Sequence, residues 1–271
     1  MHGRNLKIVL LSISLLLTPR SLVSGGEIDY NELVLESLAA MPSGGGYSTS
    51  RSANHALSRS VFNLGGRLLI TPSTAMPSYC SGATYLVFLK VMATLQSRGQ
   101  LMLPPQLVNM LRPSGQPDGR GVWGHWNANG PGTARLFYEL GLGENFTDLS
   151  RARAGDFLKI FWNDGIGASE HGHSVIYLGK ESKQGSDMVT FWSSNIPGGF
   201  GRRSVPLVRI HRMLFSRLEH PEAILKATSI PLNDSYLAAL ERRSSTSVEM
   251  DHLCGLGTVE SIRHEEKSGS H

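Results

Sequence analysis

Cys80, His173 and Asn195 are the residues of this chain whose types and order suit covalent chemistry. A cysteine attacks a carbonyl as its thiolate, and a helix N-terminus beside an imidazole lowers the thiol pKa enough to supply one. Cys80 heads the apolar segment SYCSGATYLVFLKVMATL (78–95), which is expected to be helical. Ser81 and Gly82 are small, so the sulfur is approachable and the first backbone N–H groups can face a developing oxyanion. Later, His173 opens HSVIYLG (173–179), a strand pattern that places His173, Val175 and Tyr177 on one face. A hairpin through KESKQGSD returns residues 193–195 beside it. Ser193 and Asn195 share a face there, and Ser194 points the other way unless a bulge intervenes. Asn195 is the expected orienter, its amide oxygen accepting the Nδ1–H of His173, with Ser193 as the substitute. Such a set opens an amide through an acyl-thioester.

Two other uses of these residues compete. His171 and His173 form a His-x-His pair that, with Glu170, could hold a metal, but no third and fourth ligand stand at suitable spacing. The reading therefore assigns no metal and no cofactor. Cys80 and Cys254 are the two cysteines, and an exported protein often pairs its cysteines as a staple. Cys254 lies in a polar tail while Cys80 starts a helix, which favours a free, functional Cys80.

The elements that must position these groups are legible in outline. Residues 1–25 read as a secretory signal, with Arg4 and Lys7 in front, an apolar run from Ile8 to Leu17, and a small-residue exit. That run is too short to span a bilayer, which takes about 20 residues. The expectation is a secreted or periplasmic protein without stable membrane insertion. Removing the leader takes three of the 26 basic residues and none of the 22 acidic ones, so the formal charge falls from +4 to +1. Nucleic-acid binding then has no electrostatic footprint. An amphipathic helix at 27–41, a flexible linker at 42–55 and a short helix or strand at 61–71 follow, within an N-terminal segment of 26–75.

From Ser81 to Gln96 the pattern is apolar nearly all round, so this helix is expected to be buried. A helix over TARLFYELGLG stops at Gly141, and strands are expected at 157–162, 173–179, 188–194 and 205–210. A C-terminal helix at 233–243 leads into a polar tail, expected to be disordered through residue 271. Between them, RGVWGHWNANGPGT (120–133) holds Trp123, Trp126, Asn127 and Asn129. These make an aromatic and amide wall for a glycan or peptide stem, or else a tryptophan-pinned loop, and both readings stand open.

Three segments carry a resemblance: Cys80-Ser81-Gly82 opening a helix, ARAGDFLKIFW (152–162) with Gly155-Asp156 leading a strand, and GHSVIYLG (172–179). In this order they resemble the NlpC-type cysteine peptidases, papain-like hydrolases of the cell wall. The resemblance implies an α+β papain-like domain at 76–232, a helical part carrying Cys80 and a small antiparallel sheet carrying His173. It further implies Cys80 as nucleophile, His173 as base and Asn195 as third member, in a monomer that cuts the peptidoglycan stem peptide or another peptide or amide substrate. Tyr79 stands where that family usually has aspartate, which makes it a substrate-side residue of its own kind. The 93 residues from Cys80 to His173 exceed the family's usual interval and imply an insertion at 97–150. A relative of the same fold acting as an effector amidase or a transglutaminase-like acyl transferase is one alternative. A non-catalytic extracellular binding module with a Cys80–Cys254 disulfide is the other.

Overall fold

A computed structural model describes residues 28–229 and 233–256; the leader at 1–25 and the tail beyond residue 256 lie outside the described residues. In chain order the helices are α1 (Tyr30–Ala39), α2 (Arg51–Arg59), α3 (Cys80–Ser97), α4 (Pro105–Met110), α5 (Gly121–Asn127), α6 (Gly132–Leu140), α7 (Ser235–Ala239) and α8 (Ser247–Leu253). The strands are β1 (Gly44–Gly45), β2 (Val61–Leu64), β3 (Arg67–Ile70), β4 (Gly143–Phe146), β5 (Phe157–Phe161), β6 (Gly172–Lys183), β7 (Ser186–Asn195), β8 (Gly199–Pro206) and β9 (Arg212–Leu218). The class is α+β. Among the described residues no helix is long and apolar enough to cross a membrane.

Seven strands form one antiparallel sheet in the order β1-β8-β7-β6-β5-β9-β4, and β2 with β3 makes a separate hairpin. Strand alternation sorts the side chains into two layers. Phe157, Ile176, Trp192 and Phe200 join the large core built around α3, whereas Leu158, Val175, Phe191 and Val205 form a second cluster with Phe215. The all-round apolar pattern of α3 has its expected consequence. Tyr85, Leu86, Val87, Phe88, Leu89, Val91 and Met92 show no exposed surface. Within the segment at 97–150, α5 and α6 supply Trp126, Leu136 and Phe137 to that same core.

Several expectations need correction. The supposed linker is structured: Gly44 and Gly45 pair with Phe200 and Gly199, and α2 buries Ala53, Ala56 and Leu57. Its composition concealed this because a two-residue glycine strand and an alanine-lined helix both read as polar, flexible chain. The strand expected at 205–210 runs instead from Gly199 to Pro206, then turns through a 3-10 segment at Leu207–Arg209. β4 and β9 were not anticipated; they pair with each other, and β9 also pairs with β5. At the C-terminus, ordered structure continues past residue 243. α8 docks Met250 and Cys254 against Ala134, Phe161, Ile166 and Leu214. Thr246 caps that helix by accepting from the Glu249 N–H, an N-terminal signal the polar composition masked.

Candidate functional site

Cys80 is the first residue of α3, whose N-terminus is left without a side-chain cap by Tyr79 in extended conformation. The first-turn N–H groups of a helix have no intrahelical partner, and the positive end of the dipole favours an anion beside them. The thiol is half-buried at this point. Burial alone raises its pKa; a hydrogen bond to the His173 side chain, the charge of that imidazole, the Ser174 backbone N–H and the Lys159 ammonium outweigh it. The balance brings Cys80 down to about 7 from the ordinary 9.0.

The register of the hairpin explains the imidazole's place. Ile176 pairs with Trp192, and continuing that register three residues along each strand brings His173 opposite Asn195. His173 Nε2 lies 3.2 Å from Asn195 Oδ1. The orientation of that amide is fixed, since Asn195 Nδ2 donates to the carbonyls of Ser193 (3.1 Å) and Gly201 (2.8 Å). Its oxygen therefore faces the ring, Nε2 carries the hydrogen, and Nδ1 is left to exchange a proton with the sulfur. This reverses the expected tautomer, in which Nδ1–H faced the amide. Phe191 holds the ring edge-on, with centroids 5.6 Å apart. Ser193 does not substitute for Asn195: its hydroxyl donates to the Ser174 carbonyl at 2.7 Å. Ser194, on the opposite face, donates to the Ser78 carbonyl at 2.9 Å and so ties β7 to the segment leading into Cys80.

Tyr47 escaped the sequence reading because it sits in the presumed linker. Its hydroxyl hydrogen-bonds Cys80, and its pKa is pushed well above the usual tyrosine range by burial, then by the thiolate's charge and that hydrogen bond. Tyr47 thus stays protonated and donates toward the sulfur. It is seated by the β1–β8 pairing just before it and by a bridge to Ser78. The run of three glycines at 44–46, too short for a linker and placed to let backbones meet, was the available signal.

A cleft of about 360 Å³ opens on one side of Cys80 and is lined by Tyr79, Asn127 and Asn129 together with Asp118, Lys159 and Glu170. Tyr79 donates its hydroxyl to Asn54 Oδ1, and Ser81 Oγ donates to Asn127 Oδ1 at 2.8 Å. Asp118 accepts from the Asn129 N–H at 3.1 Å and from Asn127 Nδ2 at 3.4 Å, while burial raises its pKa. The tryptophans expected in this wall are elsewhere. Trp123 and Trp126 are 3% and 1% exposed and pack on Tyr85 inside the core. Both indoles are enclosed because α5 is buried nearly all round, from Val122 to Trp126, so only the amides after Trp126 reach the cleft. Glu170 is ion-paired to Lys159 and accepts from the Gly130 and Gly167 N–H groups, which places it apart from His171 as a metal ligand.

Cys80 and Cys254 are both free thiols, so the disulfide of the binding-module alternative does not form. Burial pushes the Cys254 thiol up to about 12. No family model, curated protein or solved structure matches this chain.

Proposed function

We propose that this chain is an exported cysteine hydrolase of papain-like, NlpC-type architecture, opening an amide or peptide bond of the peptidoglycan stem peptide through a thioester on Cys80. One observation carries the reading: a thiol at the uncapped head of α3, lowered to about 7 by His173, whose ring is held by Asn195. In this reading Cys80 Sγ attacks the scissile carbonyl and Nδ1 of His173 holds the proton. The N–H groups at the start of α3 and the Tyr47 hydroxyl are the donors nearest the oxyanion that forms. His173 passes the proton to the departing nitrogen, and water then releases the acyl group. Asn127, Asn129, Tyr79 and Asp118 line the cleft that would take the acyl side of the substrate.

The test is digestion of purified cell-wall sacculi with the mature protein, with products identified by mass. New amine and carboxyl termini within the stem peptide, lost in Cys80→Ala, are expected. Undigested sacculi beside active wild-type hydrolysis of synthetic peptide amides would keep the chemistry and discard the cell-wall substrate.

A further inference from the structure

Two clefts meet at the Cys80–His173 pair, with Tyr47 and Gly172 on their shared border. The first contains the sulfur and not the imidazole; the second, about 420 Å³, contains His173 and not Cys80. In volume it falls within the roughly 300–1,000 Å³ of small-ligand sites. The proposed reaction assigns them different halves of the substrate. The Sγ–C bond forms while the C–N bond breaks, so the acyl half stays with the sulfur. The proton taken from the thiol leaves His173 for the departing nitrogen, so the amine half must lie on the imidazole's side. Water then adds to the thioester carbon, gives a proton to His173 and expels the thiolate.

The lining of the second cleft is one-sided in charge. Arg203 and Arg209 stand over apolar ground made by Trp162, Phe191, Val205 and the 63%-exposed Ile196, and no carboxylate lines it. Arg203 Nη1 donates to the Ile196 carbonyl at 2.7 Å, which steadies the guanidinium and leaves its other donors for a ligand. Among the described residues neither arginine has a carboxylate partner. In the first cleft, Lys159 and Glu170 neutralise each other and Asp118 remains as unbalanced acid. A substrate with one acidic end is therefore drawn in a single direction across the thiol.

Resting on the hydrolase reading, we infer that the fragment released as the amine carries a free carboxylate, held by Arg203 and Arg209 on the His173 side. Guanidinium–carboxylate hydrogen bonds are among the stronger polar contacts and suit this recognition.

Release can be read in reverse on the full chain without knowing the natural substrate. p-Nitrophenyl acetate acylates Cys80 with no group in the second cleft, and added amines then compete with water for the acetyl group. Alanine, alanylalanine and their C-terminal amides are compared at equal free-base concentration. At least one acid should capture acetyl about 10-fold better than its amide. That ratio should fall to near one in Arg203→Gln/Arg209→Gln and return in Arg203→Lys/Arg209→Lys. If neither acid outcompetes its amide in the wild type, or the preference persists in the glutamine variant, the inference is overturned. A wild-type chain giving no p-nitrophenol burst dependent on Cys80 overturns the hydrolase reading itself, a separate result.

Discussion

At the scale of single residues, the site is an argument about one proton. His173 donates Nε2–H to an amide whose own N–H groups are committed to two carbonyls, so only Nδ1 can serve the sulfur. The Cys80 thiol sits at about 7, below its ordinary value, so its thiolate forms as pH rises through 7. Alkylation by iodoacetamide should therefore accelerate through pH 7 and level off, while Cys254, pushed up to about 12, stays unmodified in the folded chain. In His173→Ala, the imidazole's hydrogen bond and charge are gone while burial remains, so the midpoint should move up from about 7. Peptide mass mapping of alkylation rates across pH reads both, and a wild-type midpoint near 9 would refute the assignment. Asn195→Ala and Ser193→Ala should part company. The first loses the ring's orienter and should cost turnover by a smaller factor than Cys80→Ala. The second strands the Ser174 carbonyl and should cost about 1–2 kcal/mol of stability with turnover largely kept. The Cys, the His and the Asn were legible because each stood at a recognisable end of a patterned segment. Tyr47 was not, because the glycines at 44–46 announce only a close backbone approach, and the strand that delivers the hydroxyl pairs with residues more than 150 positions away.

At the scale of elements, the sequence patterns with a strong period held and those with a mixed composition misled. α3, β6 and β7 lie where apolar period and turn residues place them, since each buries a continuous apolar face. β1 and α2 were invisible as elements, because their stability comes from partners elsewhere in the chain rather than from local preference. The two tryptophans of α5 were open to two readings for the same reason: whether so short a helix is enclosed all round, as Val122 to Trp126 are, is decided by the elements around it. The seat of Tyr47 offers a test. Gly199 has φ +83°, and a Cβ there would come within 2.3 Å of the Gly44 carbonyl oxygen. Gly199→Ala should push β1 off β8, carrying Tyr47 from the sulfur, and reproduce the turnover loss of Tyr47→Phe, about 100-fold or more for one lost donor. A melting-temperature drop should accompany it, which Tyr47→Phe should largely avoid. Gly201 has open space around its Cβ position, so Gly201→Ala is the matched control and should leave turnover near wild type. Unchanged turnover in Gly199→Ala would detach Tyr47 from the chemistry.

At the scale of the whole molecule, the Gly155-Asp156 motif acts as a clasp, not a reactive group. Asp156 is fully buried and joins three parts of the chain. It accepts from Arg217 Nε and Nη2 on β9 at 2.9 and 2.8 Å, from Asn31 Nδ2 on α1 at 2.9 Å, and from the Arg153 N–H at 2.7 Å. Gly155 permits this closeness: its φ is +97°, and a Cβ would stand 2.6 Å from the Asn31 carbonyl oxygen. Removing the carboxylate leaves the largely buried Arg217 guanidinium only the Glu144 carboxylate, 3.4 Å away, as an ion-pair partner, so Asp156→Ala should cost about 3 kcal/mol, the low end for a broken buried pair. Asp156→Asn keeps one acceptor and should cost less, and adding Arg217→Met to Asp156→Ala should recover part of the loss. The exposed pair Arg98–Glu36, 45% and 57% exposed, is the contrast, and Glu36→Ala should change stability by less than about 1 kcal/mol. Denaturant titration gives the energies, and alkylation of Cys80 in the remaining folded fraction reports on the site. Because Asp156 lines neither cleft, the alkylation midpoint should stay near 7 while stability falls. A midpoint that shifts with no loss of stability would make Asp156 part of the chemistry, and the clasp account would fail.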